Sequence, residues 1–271
     1  WPYYAEHLIL ATPDNGVAAA MYAACKATVK VGDGNEISLH EQTNYPFEET
    51  IRFTVNTPKA VSFPFYLRIP SWTEGATIFV NGKKVAANPE AGQYACINRE
   101  WKDNDQVEIQ LPMQLSMRTW QVNKNSVSVD YGPLTMSLKI DEDYVKKDSR
   151  ATAIGDSKWQ EGADASQWPT YEIYAKTPWN YALVLGKNEP LKDFKVVHKE
   201  WPADNFPFTV ASTPIEVKAI GRKVPSWVID QYDLCSELPE MDAPKGEKEE
   251  ITLIPMGAAR LRVSAFPNTR E

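Results

Sequence analysis

The sequence predicts a mostly β fold: two consecutive antiparallel β-sandwich domains behind a short N-terminal helix remnant. Three features carry this prediction. Apolar and polar residues alternate with a period of two through many short runs. Turn residues separate the runs, with 20 prolines and 13 glycines among 271 residues. Helical periodicity is confined to the first ten residues. Many short strands divided by Pro, Gly and Asn are the pattern of sandwiches, and the length suffices for two.

Taken in order, Trp1-Pro-Tyr-Tyr-Ala-Glu-His-Leu-Ile-Leu10 reads as the tail of an amphipathic helix, so that the chain is expected to begin inside a larger protein. Ala11-Thr-Pro-Asp-Asn-Gly16 ends the helix, because proline cannot continue the ladder and Asn-Gly favours positive φ. The alanines of Val17–Val31 would suit a helix, but Ala27, Val29 and Val31 alternate with Thr28 and Lys30, and strand is expected. Ile51, Phe53 and Val55 form one inward row, and Val61, Phe63, Phe65, Leu67 and Ile69 form another. Pro64 and Pro70 predict a sheet edge or bulge for the second row, since proline donates nothing to a ladder. Ile78-Phe-Val80, Asn81-Gly82 and Val85 form the clearest hairpin. Val107, Ile109 and Leu111 alternate again, as do Val127, Val129 and Tyr131. From Lys139 to Gln167 the pattern dissolves, which predicts a domain boundary. Strands return at Tyr171–Tyr174, Tyr181–Leu185, Ile215–Ile220, Ile251–Ile254 and Leu261–Phe266, with a polar loop over Pro239–Glu250.

Composition narrows the function. Hydrophobic residues make up 43% and charged residues 24%, and no apolar run approaches the ~20 residues of a membrane span. The net charge of −7, with scattered Lys and Arg, gives no footprint for a phosphate backbone. Neither nucleic acid nor membrane is expected as a partner. Cys25, Cys96 and Cys235 are far apart and form no C-x-x-C; Cys25 and Cys96 lie in apolar strand-like text and are expected to act as small buried hydrophobes. His7, His40 and His198 are too scattered to build a metal site by spacing.

Glycoside hydrolysis needs two carboxylates facing one sugar. Glu48-Glu49 and Glu249-Glu250 are adjacent and would point to opposite faces of a strand, so a solvated surface role is expected. No Gly-x-Ser-x-Gly elbow or phosphate loop is present. Tryptophans can stack on sugar rings, but most here are expected in cores or interfaces. Trp159 and Trp168, in the polar stretch, are the carbohydrate-binding candidates.

Leu67-Arg-Ile-Pro-Ser-Trp72, Val80-Asn-Gly82, Arg99-Glu-Trp101, Leu111-Pro-Met113, Tyr131-Gly-Pro-Leu134, Pro178-Trp-Asn-Tyr-Ala-Leu183 and Ile251-Thr-Leu-Ile-Pro-Met-Gly257 occur in that order. Together they resemble the C-terminal part of the glycoside hydrolase family 127 proteins, the β-L-arabinofuranosidase-like family, along nearly the whole chain. The resemblance implies an (α/α)6 catalytic barrel followed by β-sandwich domains. It also implies a retaining mechanism with a zinc-held cysteine thiolate as nucleophile, assisted by glutamates; zinc lowers the thiol pKa and a protonated glutamate serves as general acid. In relatives a Cys-Cys pair lies shortly before a segment like Trp1-Pro-Tyr-Tyr4. That pair and the upstream ligands do not occur in this sequence, and Cys25 matches neither position.

The resemblance therefore implies residues 1–16 as the remnant of the last barrel helix and its turn, 17–138 as the first sandwich and 139–271 as the second. It carries over no catalytic residue and no metal or cofactor in this fragment; zinc is expected in the missing barrel. The implied role is a non-catalytic β-sandwich region that packs against and supports the barrel of a hydrolase acting on arabinofuranosides or related glycans. Its expected partners are the upstream barrel and the parent's carbohydrate substrate. An independent carbohydrate-binding module is the alternative, and a homodimer through a sandwich edge is a third reading. Enzymes of this type are often exported, so a secreted or periplasmic parent is expected.

Overall fold

The computed structural model describes residues 2–87, 89–152, 158–231 and 234–271. The chain is mostly β and divides into two compact units, residues 1–115 with 131–134 and residues 116–130 with 135–271. The expected boundary at 138/139 is thus displaced: the strands at 115–120, 126–131 and 134–138 join the second unit's sheet.

The opening helix is shorter than its sequence suggests. Helix α1 (Pro2–Glu6) is exposed throughout, and Trp1 lies outside the described residues. Strand β1 (Ile9–Ala11) follows at once and pairs antiparallel with β2 (Val17–Ala19). Leu8 is buried, its carbonyl accepting the Ala20 N–H at 2.9 Å, whereas Leu10 remains exposed. A strand partner at Val17–Ala19 overrides the helical pattern because it satisfies the backbone and buries apolar surface together.

The first unit contains two sheets. Strand β2 runs parallel to β6 (Val61–Arg68), which pairs antiparallel with β9 (Tyr94–Trp101), giving the order β1-β2-β6-β9. The second sheet takes β3 (Cys25–Val31), β4 (Asn35–Gln42), β5 (Thr50–Asn56), β10 (Asp105–Gln110), β7 (Thr77–Val80) and β8 (Lys83–Lys84) in that spatial order. The inward rows expected from the sequence meet in one core containing Phe53, Phe63, Phe65, Trp101, Val107 and Ile109. The Asn81-Gly82 turn has φ of 50° and 75°, the left-handed pair that a two-residue hairpin requires, and registers Val80 with Lys83.

Strand β6 is interior, not the edge that its prolines suggested. Strand β2 covers only Phe65 to Leu67, so on that side Pro64 meets Gly16 rather than a ladder partner, while on the other it pairs with Asn98 of β9. A Cβ on Gly16 would strike the Pro64 carbonyl and lie 2.6 Å from its Cγ.

The second unit is built on β11 (Leu115–Trp120), β12 (Ser126–Tyr131), β13 (Leu134–Leu138), β16 (Tyr181–Leu185), β17 (Lys195–His198), β18 (Ile215–Lys223), β19 (Lys248–Pro255) and β20 (Asn268–Arg270), all in one eight-stranded sheet. Strands β14 (Glu142–Lys147) and β15 (Thr170–Ala175) form a separate hairpin, and helix α2 (Ser149–Thr152) follows β14. Strand β15 is the strand expected at Tyr171–Tyr174, and β14 lies in the stretch expected to hold a domain boundary. The alternation of β14 is hidden because both faces are partly solvated, so neither needs an apolar row. Leu261–Phe266, expected as a strand, forms only the bridge Val127↔Phe266. Ser137 diverts it: the Val263 N–H donates to Ser137 Oγ and the Val263 carbonyl accepts the Leu138 N–H at 2.9 Å. The same stretch leads into β20, which pairs with β16, so a short segment ties distant strands of the sheet together.

Gly16→Ala should destabilise the first unit by about 1–3 kcal/mol through overpacking against Pro64. Urea unfolding followed by tryptophan fluorescence measures the change.

Candidate functional site

Trp159 and Trp168 come together on one open groove of about 480 Å³ in the second unit, beside Thr152, Lys158, Gln160 and Thr170. Local chemistry builds its walls. Asp148 caps α2, its Oδ1 accepting the Arg150 N–H at 2.9 Å. Buried Ser149 donates its hydroxyl to the Trp168 carbonyl and accepts from Thr170 Oγ1 at 3.1 Å, joining the helix to the start of β15. The Trp159 indole N–H donates to Ala163 O at 3.3 Å, which fixes that ring. Trp168 is 67% exposed. Two indoles beside hydroxyl, amide and ammonium donors can stack on a sugar ring and hydrogen-bond its rim. Residues 153–157, next to this groove, lie outside the described residues.

The other tryptophans do structural work. Trp101 and Trp227 are buried, Trp72 packs on the first core, and Trp179 meets Trp227 edge-on at 5.1 Å. Trp120 is exposed, with its N–H held by Ser128 Oγ at 2.9 Å.

A second chemical centre was missed in the sequence. Glu41 is only 1% exposed; its Oε1 accepts the Ala23 N–H at 3.0 Å and its Oε2 lies 3.7 Å from the Cys25 thiol. Burial pushes its pKa up to about 8, against the lowering effect of those two donors. Burial and the adjacent carboxyl push the Cys25 thiol up to about 11. The signal lay in the alternation: Ile37 and Leu39 point inward along β4, and two residues further on Glu41 must do the same.

This pair does not fit the thiolate-zinc centre that the family resemblance implies. Cys25 is half-buried and strongly protonated, whereas a zinc ligand is deprotonated. Cys96, expected to be buried, is exposed on an outward position of β9, and Cys235 is exposed as well. Among the described residues no three His, Cys, Asp or Glu side chains converge on a metal position. Within the adjacent acid pairs, Glu48 accepts from Asn44 Nδ2 at 2.8 Å and Glu49 from the Met113 N–H at 2.7 Å. Glu249 faces Lys223 and Glu250 faces Lys218.

Residues 16–113, most of the first unit, match a glycoside hydrolase family model, so this segment is similar to a glycoside hydrolase-related domain. The model is described as β-L-arabinofuranosidase, GH127 middle domain. The GH127 β-L-arabinofuranosidase of Geobacillus stearothermophilus T6 aligns with a TM-score of 0.61 and 21% identity, over 97% of this chain and 35% of that one. A structure described as a glycoside hydrolase aligns at 0.59 and 22% identity, over 95% and 36%. A GH127 β-arabinofuranosidase aligns at 0.59 and 19%, over 95% and 36%. At such identities the likeness establishes the fold, and the chain spans about a third of the length of these structures. No curated protein matches it. The chain's fold is thus similar along nearly its whole length to part of these structures.

Glu41 makes stability depend on pH. Below its ordinary pKa of 4.5 the carboxyl is neutral in both folded and unfolded chains. As pH rises the unfolded chain releases the proton while the folded chain keeps it, so stability falls until about pH 8, where the folded form also ionises. Glu41→Gln should flatten this decline and be the more stable protein by a few kcal/mol at pH 8, measured by urea unfolding between pH 4.5 and 9.

Proposed function

We propose that this chain is the β-sandwich region of a glycoside hydrolase acting on arabinofuranosides or related glycans, and that it packs against and supports an (α/α)6 catalytic barrel of the same protein. The match of residues 16–113 to the GH127 middle domain carries this reading. The catalytic thiolate, the zinc that lowers its pKa and the assisting glutamates then belong to the barrel. The β region contributes rigid surfaces. Hydrolysis of an aryl β-L-arabinofuranoside is expected from the chain extended through its barrel and supplied with zinc, and not from these 271 residues alone. Turnover by the short chain would overturn the proposal.

A second role is favoured by the convergence of Trp159 and Trp168 on one groove. In this reading the second unit holds a glycan near the barrel, with an indole face against the sugar and Gln160 and Thr152 on its hydroxyls. Trp168→Ala should weaken glycan affinity about tenfold in affinity electrophoresis, because an aromatic face contributes on the order of 1 kcal/mol or more. Unchanged mobility would remove the groove from consideration.

A further inference from the structure

The outward face of the first unit's six-stranded sheet carries a second hollow, of about 330 Å³, remote in sequence from the tryptophan groove. Its walls are Gln42, Arg52, Thr54, Phe79, Gln106 and Glu108. Strand register sets them in rows. Gln42 pairs with Arg52, Arg52 with Glu108 and Glu108 with Phe79, one residue from each of β4, β5, β10 and β7. Thr54 and Gln106 form the neighbouring row. At the ~4.8 Å spacing of strands, the row from Gln42 to Phe79 spans about 14 Å.

Three features make this more than a wet sheet face. Its polar groups are oriented in advance: Glu108 accepts Arg52 Nε at 2.8 Å through one oxygen and Gln110 Nε2 at 2.9 Å through the other. Its side-chain amides at Gln42 and Gln106 are exposed, so each can turn donors and an acceptor toward a ligand. Its outward aromatic ring, Phe79, stays half-buried between these polar groups although it sits on the solvent side of the strand, whereas Phe53, also in the lining, is buried in the core. The Arg52–Glu108 pair neutralises its own charge. A flat apolar face beside amides, a hydroxyl and a guanidinium, with no net charge among the lining residues and with Lys84 paired to Phe79 at the rim, matches a ring that is apolar on one side and rimmed with hydroxyls. The volume lies at the lower end of the ~300–1,000 Å³ typical of small-ligand sites.

We propose that this face is a binding site for a short neutral oligosaccharide, with a sugar ring on Phe79 and its hydroxyls shared among Gln42, Gln106 and the free nitrogens of Arg52. The site shares no residue with the groove of Trp159 and Trp168, and it places a glycan contact inside the segment that matches the GH127 middle domain.

The test is a panel of immobilised neutral oligosaccharides, including arabino-, xylo- and gluco-oligosaccharides, with oligogalacturonate as the charged control, followed by calorimetry on the best ligand. Binding should favour a neutral glycan, fall about tenfold in Phe79→Ala and about fivefold in Gln106→Ala, and persist in Trp168→Ala. Gln106 is exposed, so its substitution keeps the test valid even if Phe79→Ala loses stability. Failure to bind any neutral glycan, preference for oligogalacturonate, or binding indifferent to both substitutions would overturn the proposal. Binding lost only in Trp168→Ala would overturn it while leaving the tryptophan-groove reading intact, and a preference for a non-arabinose glycan would count against the proposed substrate class alone.

Discussion

Trp101 lies wholly buried in the core of the first unit, giving its indole N–H to the Phe63 carbonyl at 2.9 Å. Its ring meets Phe65 at 6.0 Å, and Phe65 meets Phe53 of the other sheet edge-on at 5.3 Å. This aromatic line joins the two sheets and sets which side of every strand is inward. Once Phe53 is committed to the core, Arg52 and Thr54 must face out, and the same holds for Phe79 between Ile78 and Val80. The outward hollow is therefore a consequence of the inward packing. A slip of one residue in β5 would bury Arg52 and expose Phe53, removing core and hollow together.

Two buried carboxylates mark the limits of that packing. Burial works to raise the pKa of Glu216, but Lys139 at 2.9 Å and Lys199 at 3.3 Å outweigh it and hold the carboxyl below its usual range. Glu41 has no cation, only the Ala23 amide and the Cys25 thiol, so burial prevails. Both carboxylates occupy inward or covered positions of otherwise regular strands, yet one is charged and the other neutral near pH 7. The two lysines beside Glu216 and the deeper burial of Glu41 together account for the difference. Burial first, and then the Glu41 carboxyl beside it, make Cys25 a poor nucleophile: both disfavour the thiolate.

The two proposed glycan surfaces differ in the way their precision is achieved. The sheet hollow rests on paired strands, which hold Gln42, Arg52, Glu108 and Phe79 at fixed spacing. The tryptophan groove is made from a one-turn helix, a loop and a strand end, joined by the Ser149 hydroxyl. Rigid elements position ligand groups better than loops do, so the first suits selective recognition and the second a more tolerant aromatic contact.

Much of the fold was legible in the residues. The alternating runs at Ile51–Val55, Val61–Ile69 and Val107–Leu111, and the Asn81-Gly82 hairpin, were readable because one face of each strand is apolar and the turn demands positive φ. Trp159 and Trp168 were legible as candidates because a polar context leaves tryptophan without a core. Periodicity could not reveal β14, whose faces are both partly wet, nor the end of α1 at Glu6, which depends on β2 being available to pair with β1. It could not place Pro64 inside a sheet, since that depends on β2 stopping at Gly16, or keep Leu261–Phe266 from becoming a strand against Ser137. By itself the sequence determined strand character, inward rows and turn positions, because these follow from local sterics and solvation. Only the tertiary structure decided strand order, the unit boundary, the Glu41–Cys25 pair and the assembly of Phe79 with Gln42 and Gln106, because each requires residues distant in sequence to be brought together.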